Sequence, residues 1–301
     1  MAIVSNADND LLLPFHIEGG AVRGRLVRLG AALDRILGGH DYPSPVAALM
    51  AETLALAAAL AGSLKYDGIF SLQAQGDGPV SLVVADVTSA GHMRGYVRFD
   101  TAKLPPPGAR ADSAWLLGRG HLAFTVDQGP HTDRYQGIVE LRGDSLAACA
   151  HQYFRQSEQL ETAITLAARR EPTGWKAGAL MIQRMPAANP RSPIMLAEDA
   201  EETWRRAEIL MGSLRQGELL DIDPDRLLYR LYHADHLVTS TVKPLEARCR
   251  CSPERVRGTL RSFPRDEVES LVNENGDVVV TCEFCKEEYV FNKAGLDALY
   301  G

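Results

Sequence analysis

Four of the five cysteines in this chain stand in two short pairs near its C-terminus, Cys249-Arg250-Cys251 and Cys282-Glu283-Phe284-Cys285. Each pair can aim two sulfurs at one point. Two such pairs complete a tetrahedral S4 site with bonds of about 2.3 Å, which suits zinc or an iron–sulfur centre. Residues 252–281 lie between the pairs, enough to fold as a small unit and return the chain to the metal. Buried core cysteines do not cluster in this way beside Arg248, Arg250 and Lys286, so the spacing reads as a metal or redox site. Zinc is preferred to iron–sulfur because no further cysteine lies close by and no iron–sulfur run is present.

Composition excludes several function classes. The chain has 301 residues, 46% hydrophobic and 24% charged, values ordinary for a globular protein with one sizeable core and a satellite. A formal net charge of −7 argues against a dedicated nucleic-acid binder, which would carry a basic face. Few cysteines, mostly at metal spacing, fit a reducing cytosol better than a disulfide framework. The first twenty residues carry Asp8, Asp10 and Glu18 and lack a basic segment ahead of an apolar core, so no export signal is expected. Val46–Leu64 imitates a membrane span, but it is mostly alanine and holds Glu52, so a buried helix of a soluble protein is expected.

Taken in order, Leu11–Gly20 reads as a strand and turn, and Val22–Leu37 as a helix-compatible segment ended by Gly38-Gly39. Ser44-Pro45 is a helix start, and that helix is expected to reach about Lys65. Ile69–Gln75, Val80–Val87, Met93–Phe99, Leu122–Val126 and Arg134–Leu141 are short apolar runs separated by Gly, Pro and Asp, hence strands. Gly143–Gln159 predicts a helix and Gly178–Met185 a returning strand. The fold class is α+β: helices on a largely antiparallel sheet form the N-terminal domain, followed by a helical linker and a small metal-binding C-terminal domain.

Pro186, Pro190 and Pro193 mark the end of the first domain, drawn at residues 1–190. The linker, residues 191–235, opens with the heavily charged Ala197–Gln216, in which Trp204, Ala207, Leu210, Met211 and Leu214 fall at helical spacing. Periodicity alone favours a connecting helix lying on its neighbour over a segment poised to detach. A second helix, Pro224–His236, leads to the last domain, residues 236–301, which carries nine basic and eleven acidic residues. Too small for a large core, it is expected to owe its fold to metal binding. Ser252 and Pro253 open a helix, and Asn275-Gly276 predicts a hairpin turn that places Val278–Thr281 as a strand feeding Cys282. Cys149 reads as a packed core residue, and His233 and His236 as solvated helix positions, since four cysteines already fill a tetrahedron.

These residues resemble the 33-kDa redox-regulated heat-shock chaperones of bacteria and some organelles over nearly the whole chain. The resemblance rests on the two cysteine pairs at that family's separation and on Tyr153-Phe154-Arg155-Gln156-Ser157-Glu158-Gln159, which matches its Y-F-x-x-S-E-Q run. Gln75-Gly76-Asp77-Gly78-Pro79, Arg94-Gly95, Tyr135-Gln136-Gly137, Gly143-Asp144 and Leu231-Tyr232-His233 match as well. The resemblance implies a cytoplasmic, non-enzymatic, ATP-independent holdase, silent when one zinc ion is held by Cys249, Cys251, Cys282 and Cys285. It further implies that oxidation forms disulfides Cys249–Cys251 and Cys282–Cys285, releases zinc, unfolds the metal domain and destabilises the linker. Apolar surface then binds unfolding clients, the N-terminal domain dimerises, and neither nucleic acid nor membrane is a partner. With the family in view, the metastable reading of Ala197–Gln216 is favoured.

Rival readings have specific obstacles. A thiol–disulfide oxidoreductase using Cys282 and Cys285 would need a thioredoxin-like βαβ pattern around the pair. A zinc-ribbon nucleic-acid module is opposed by the acidic balance, and nucleotide-driven chaperoning by the lack of a Gly-rich phosphate loop.

Overall fold

Strands form where short apolar runs alternate in period two, and helices where the apolar period lengthens. In the computed structural model, which describes residues 10–106, 109, 111–129, 132–186 and 197–300, the chain divides into two compact units, Met1–Ala247 and Arg248–Gly301. The first unit begins with β1 (Leu11–Ile17), β2 (Val22–Leu29), α1 (Ala31–Gly38) and α2 (Ser44–Ala61). β3 (Ile69–Gly76), β4 (Val80–Thr88), β5 (His92–Phe99), α3 (Ser113–Leu117), β6 (Gly120–Asp127) and β7 (Tyr135–Glu140) follow. Next come α4 (Leu146–Tyr153), which runs into a π-turn at Phe154–Glu158, then β8 (Thr162–Glu171) and β9 (Gly174–Arg184). The unit closes with α5 (Ala197–Gly212), α6 (Gln216–Asp221), α7 (Pro224–Tyr232) and three two-residue strands, β10 (Val238–Thr239), β11 (Lys243–Pro244) and β12 (Glu246–Ala247).

The α+β class holds, with two sheets where one was expected. Sheet 1 has the order β10-β1-β2-β9-β8, with β11 also on β1; sheet 2 has the order β12-β5-β4-β3-β6-β7. Neighbours are antiparallel except β12 on β5. Val22–Leu29, read as helical, is a strand. Its basic residues alternate with apolar ones at its start, and Val22, Leu26 and Val27 bury against both neighbours.

Helix α2 lies between the sheets. Its alanines are small enough to let both sheets approach, and fourteen of its eighteen residues are buried. Leu12, Val27, Ala179 and Met181 of sheet 1 and Phe70, Leu72, Val83 and Ala85 of sheet 2 share one core with Met50 and Leu54. By length and hydropathy this is the one described helix able to cross a membrane, and here it is mostly buried in protein. It ends at Ala61, short of Lys65, and Ser44 is its first residue rather than a side-chain cap. Gly95 of β5 permits this packing, since a Cβ there would meet Met50 Sδ at 2.8 Å.

The other face of sheet 1 is apolar too, and α5–α7 cover it. Leu11, Leu13, Phe15, Leu26, Leu180 and Ile182 pack there against Trp204, Ala207, Met211, Leu219, Leu228 and Tyr232. Phe15 stacks on Tyr232 at 5.7 Å between ring centroids. Basic residues of the same sheet hold the helices at their margins. Arg28 Nη2 donates to Ile222 O at 2.7 Å, Arg169 Nη2 to Asp221 Oδ1 at 2.9 Å, and Arg184 pairs with Glu201. Burial pulls Arg28 down to about 10, leaving it charged at neutral pH. On α5, Arg206 Nε donates to the buried Asp235 Oδ1 at 2.5 Å. The segment expected as one helix over Ala197–Gln216 is two, broken where Leu214 turns inward and Glu218 accepts from Arg215 N.

Residues 236–247, assigned above to the metal domain, instead pair as β10–β12 with β1 and β5, so the second unit begins at Arg248. Pro190, Pro193 and the expected boundary at residue 190 lie outside the described residues, as does Asp8.

The Gln75–Pro79 run is a docking turn. Gly78 N donates to Leu117 O, Asp77 Oδ1 accepts from Arg119 N at 2.7 Å, and a Cβ on Gly76 would lie 1.8 Å from Leu117 O. Gly76→Ala should therefore cost about 1–3 kcal/mol in denaturant unfolding. Gly212→Ala, where a Cβ meets nothing within 4 Å, should be neutral or stabilising by up to about 1 kcal/mol.

Candidate metal centre

The second unit contains α8 (Pro253–Arg261), α9 (Arg265–Glu269), β13 (Val278–Thr281), β14 (Glu288–Phe291) and α10 (Lys293–Tyr300). Its core is Leu260, Val268, Val278, Phe291, Leu296 and Leu299, with a few half-buried neighbours. Six buried side chains at about 1.5–3 kcal/mol each are a thin return against the ordering of more than fifty residues. A cross-link that ties the start of this unit to its β13–β14 loop has a clear physical use.

Local chemistry places the sulfurs. Ser252 caps α8 by accepting from Arg255 N at 3.3 Å, with Pro253 in the first turn, so Cys249 and Cys251 lie in extended chain just ahead of a fixed helix start. Cys282 and Cys285 sit in the loop between β13 and β14. Cys282 N donates to Glu287 O at 2.9 Å, Lys286 N donates to Cys282 O at 2.8 Å, and Lys286 adopts a left-handed φ of 59°. This knuckle is the hairpin turn of the unit. Asn275-Gly276 is a turn ahead of β13, held by the Asn273 carboxamide accepting from Asn275 N and Asp277 N; it does not join the two strands.

The four Sγ atoms lie within 4.8 Å of one another. Cys249 Sγ is 3.8 Å from Cys282 Sγ, and Cys251 Sγ is 3.3 Å from Cys285 Sγ. A tetrahedron with metal–sulfur bonds of about 2.3 Å has edges of about 3.8 Å, so the quartet has the size such an ion requires. A disulfide would bring two sulfurs to about 2.05 Å, and none of the four cysteines is in a disulfide here. Burial raises the Cys251 and Cys285 thiols above their usual range, with the Cys249 sulfur adding to it in both. Four thiolates this close need a cation among them, and the donor set fits a soft, thiophilic divalent ion.

The structure thus brings together all four cysteines singled out from the sequence. Tyr289 joins them unforeseen: its hydroxyl bonds Cys251, which raises the phenol. Only its place opposite Val280 in the β13–β14 register marks it out, and that register is not visible in the sequence. Cys149 is buried in α4 and donates its thiol to Arg142 O at 3.3 Å, a core residue as expected. His233 and His236 are exposed, His233 Nδ1 lying 3.0 Å from Tyr229 O.

Comparisons with known proteins give matches over nearly the whole chain. A family model described as Hsp33 protein matches residues 10–292. The chain is 41% identical over 300 residues to the 33 kDa chaperonin of Caulobacter vibrioides, covering 95% of this chain and 96% of that protein. It is 35% identical over 284 residues to the 33 kDa chaperonin of Escherichia coli O7:K1, covering 94% and 92% respectively. Among solved structures, the crystal structure of the 33 kDa chaperonin (heat shock protein 33 homolog) of Thermotoga maritima superposes with a TM-score of 0.82 at 23% identity, covering 97% of both chains. That likeness establishes a shared fold.

Cobalt titrated into the reduced chain should give the absorption of a tetrahedral thiolate site and saturate at about one ion per chain. Cys282→Ser or Cys285→Ser should abolish the thiolate-to-metal band or weaken binding by about two orders of magnitude. Unchanged saturation in both variants would remove these residues from the site.

Proposed function

The chain belongs to the Hsp33 family of non-enzymatic chaperones, and from that premise we propose that it is an ATP-independent holdase switched on by oxidation of zinc-bound cysteines. The observation that carries the reading is the quartet of sulfurs within 4.8 Å, built into a unit with only a small core of its own. Cys249, Cys251, Cys282 and Cys285 would hold one zinc ion in the reduced protein. Zinc, when bound, keeps the four sulfurs deprotonated at neutral pH and blunts their nucleophilicity, so weak oxidants are resisted and strong ones act.

In the activating step, one thiolate attacks peroxide, taking one oxygen to become a sulfenic acid and releasing hydroxide. Its pair-mate then displaces hydroxide and closes the disulfide. Two peroxides are reduced as Cys249–Cys251 and Cys282–Cys285 form, and the four residues, now paired in disulfides, would no longer hold a metal ion. Structural zinc contributes on the order of 10 kcal/mol to such units. A whole domain is stable by only about 5–15 kcal/mol, so the unit unfolds.

Unfolding of the second unit bears on the cover of sheet 1. Residues 238–247 pair with β1 and β5 immediately before Cys249, and α5–α7 precede them in the chain. An unfolded tail at Arg248 no longer anchors these short pairings, and the helices they follow cover one face of sheet 1 only. Their release would bare the face of Leu11, Leu13, Phe15, Leu26, Leu180 and Ile182, a surface fit for the apolar segments of an unfolding client. In the oxidised form the two sheets and α2 would bind clients and dimerise, α5–α7 would act as the conditional cover, and Arg248–Gly301 would act as the switch, in the cytoplasm. The acidic balance and the burial of α2 support neither a nucleic-acid nor a membrane partner.

Protein treated with peroxide at raised temperature should suppress light scattering of a denatured client at stoichiometric amounts, with loss of zinc and of four titratable thiols, while the reduced form should not. Equal protection by both forms would end the redox reading. Asp235→Asn removes the buried anion that Arg206 grips and should weaken the cover by about 1–3 kcal/mol. That variant should gain partial protection while still reduced and zinc-loaded, measured in the same scattering assay.

A further inference from the structure

Two sequence runs singled out above play no part in the switch, Tyr135-Gln136-Gly137 and Tyr153–Gln159. They meet in the first unit at a cavity of about 270 Å³ that opens beside the C-terminal end of α2, between sheets 1 and 2. Its apolar wall is made by Leu60, Phe70, Phe124, Val126, Phe154 and Leu160. The rings are fixed: Phe124 and Tyr153 lie 4.4 Å apart, and Tyr153 meets Phe154 edge-on at 5.4 Å. Gly137 makes room for this, since a Cβ there would lie 2.3 Å from the Tyr153 hydroxyl. The π-turn Phe154–Glu158 sets both its end residues in the lining and closes on Gln159 with a left-handed φ of 53°. Such widened turns recur at functional sites.

The polar lining is unevenly charged. Glu158 Oε1 accepts from the Tyr153 hydroxyl at 2.9 Å and from the Tyr135 hydroxyl, so its charge is met by two phenols. Arg23 and Arg25 are alternate residues of β2, on the face of sheet 1 that turns toward α2, and both line the cavity. Arg25 donates Nε to Gly62 O and Nη1 to Gly24 O, both at 2.8 Å, which leaves Nη2 uncommitted. Among the described residues neither arginine forms an ion pair. Burial, and then the charge of Arg23, lower Arg25 from its usual range. Two guanidiniums beside an aromatic pocket, with no carboxylate of their own, form a receptor for an anion that carries an apolar body.

We propose that this cavity is a binding site for a small amphipathic carboxylate of the medium-chain fatty-acid class, its tail among the phenyl and leucine side chains and its head on Arg23 and Arg25. The cavity equals about nine water volumes at ~30 Å³ each, room for one short chain and too little for a diacyl lipid. A ligand there would touch β2 of sheet 1 and β3, β6 and β7 of sheet 2 together, so occupancy should raise the unfolding temperature of the first unit.

The test uses the reduced full-length chain without oxidant, so its result is independent of the redox switch. Octanoate is titrated by calorimetry and by methyl NMR of labelled leucines, beside octyltrimethylammonium (same body, opposite charge) and acetate (same head, no body). The site requires saturable one-to-one binding of octanoate, shifts centred on Leu60 and Leu160, and binding about tenfold weaker or worse for both controls. Arg23→Gln, at an exposed position, should weaken octanoate by about tenfold with an unchanged melting temperature. Leu160→Trp, which fills the cavity, should abolish binding in a protein that remains folded. Absence of saturable binding, equal binding of the cation, or full affinity in both variants would each overturn the assignment.

Discussion

Sheet 1 is apolar on both faces, and a two-faced sheet needs two covers. The covers differ in kind. Helix α2 is buried nearly all round, carries alanine where the sheets come closest, and shares its core with sheet 2, so removing it would dismantle both sheets. The cover made by α5–α7 touches one face only. On α5, Trp204, Ala207 and Met211 are buried in the sequence neighbourhood of exposed Arg205, Glu208 and Ile209, and its fastening depends on ion pairs with Arg184 and Asp235. The partly exposed Arg184–Glu201 pair is individually weak and salt-sensitive, whereas Asp235 is buried. The sheet is thus covered on one side by a helix it shares with sheet 2 and on the other by α5–α7 alone.

The second unit solves a different problem. With six core side chains it sits near the size at which folding needs a staple. The four sulfurs supply one by convergence: one pair is fixed ahead of a capped helix, the other in a strand-to-strand knuckle with a left-handed residue at its exit. An ion joining these ends closes a loop that its small core closes weakly, and the same atoms are the most oxidisable in the chain. Under the proposed function, stability and redox sensitivity would reside in the same four residues.

Much of this was legible in the residues. The cysteine pairs predicted their own convergence because short spacing leaves them few alternatives. The central helix was marked by length and alanine content, and the strands of sheet 2 by clean alternation between Gly and Pro breaks. What escaped were features decided by partners distant in sequence. Val22–Leu29 is a strand because β1 and β9 flank it; taken by itself, its spacing also fits a helix face. Residues 236–247 look like the start of a small domain until β1 and β5 claim them. Tyr289 reaches Cys251 only through the β13–β14 register. Asn275-Gly276 has the chemistry of a hairpin turn, but the knuckle, not this turn, sits between the two strands that pair.

The family-specific runs teach a related lesson about what a motif encodes. Gly76 and Gly137 each sit where a Cβ would strike something fixed, the Leu117 carbonyl and the Tyr153 ring, and a Cβ on Gly95 would displace the Met50 thioether. Arg94 beside Gly95 donates Nε to the buried Asp86 at 2.8 Å, a cross-strand pair that also engages Ser71. These residues build the rigid part of the protein, the sheets and α2, to close tolerance. A cover that comes and goes requires such a frame, because a sheet that relaxed on losing α5–α7 would bury its own apolar face and have nothing to offer a client. Under the proposed function, the rigidity of the frame would be as much a part of the switch as the lability of its cover.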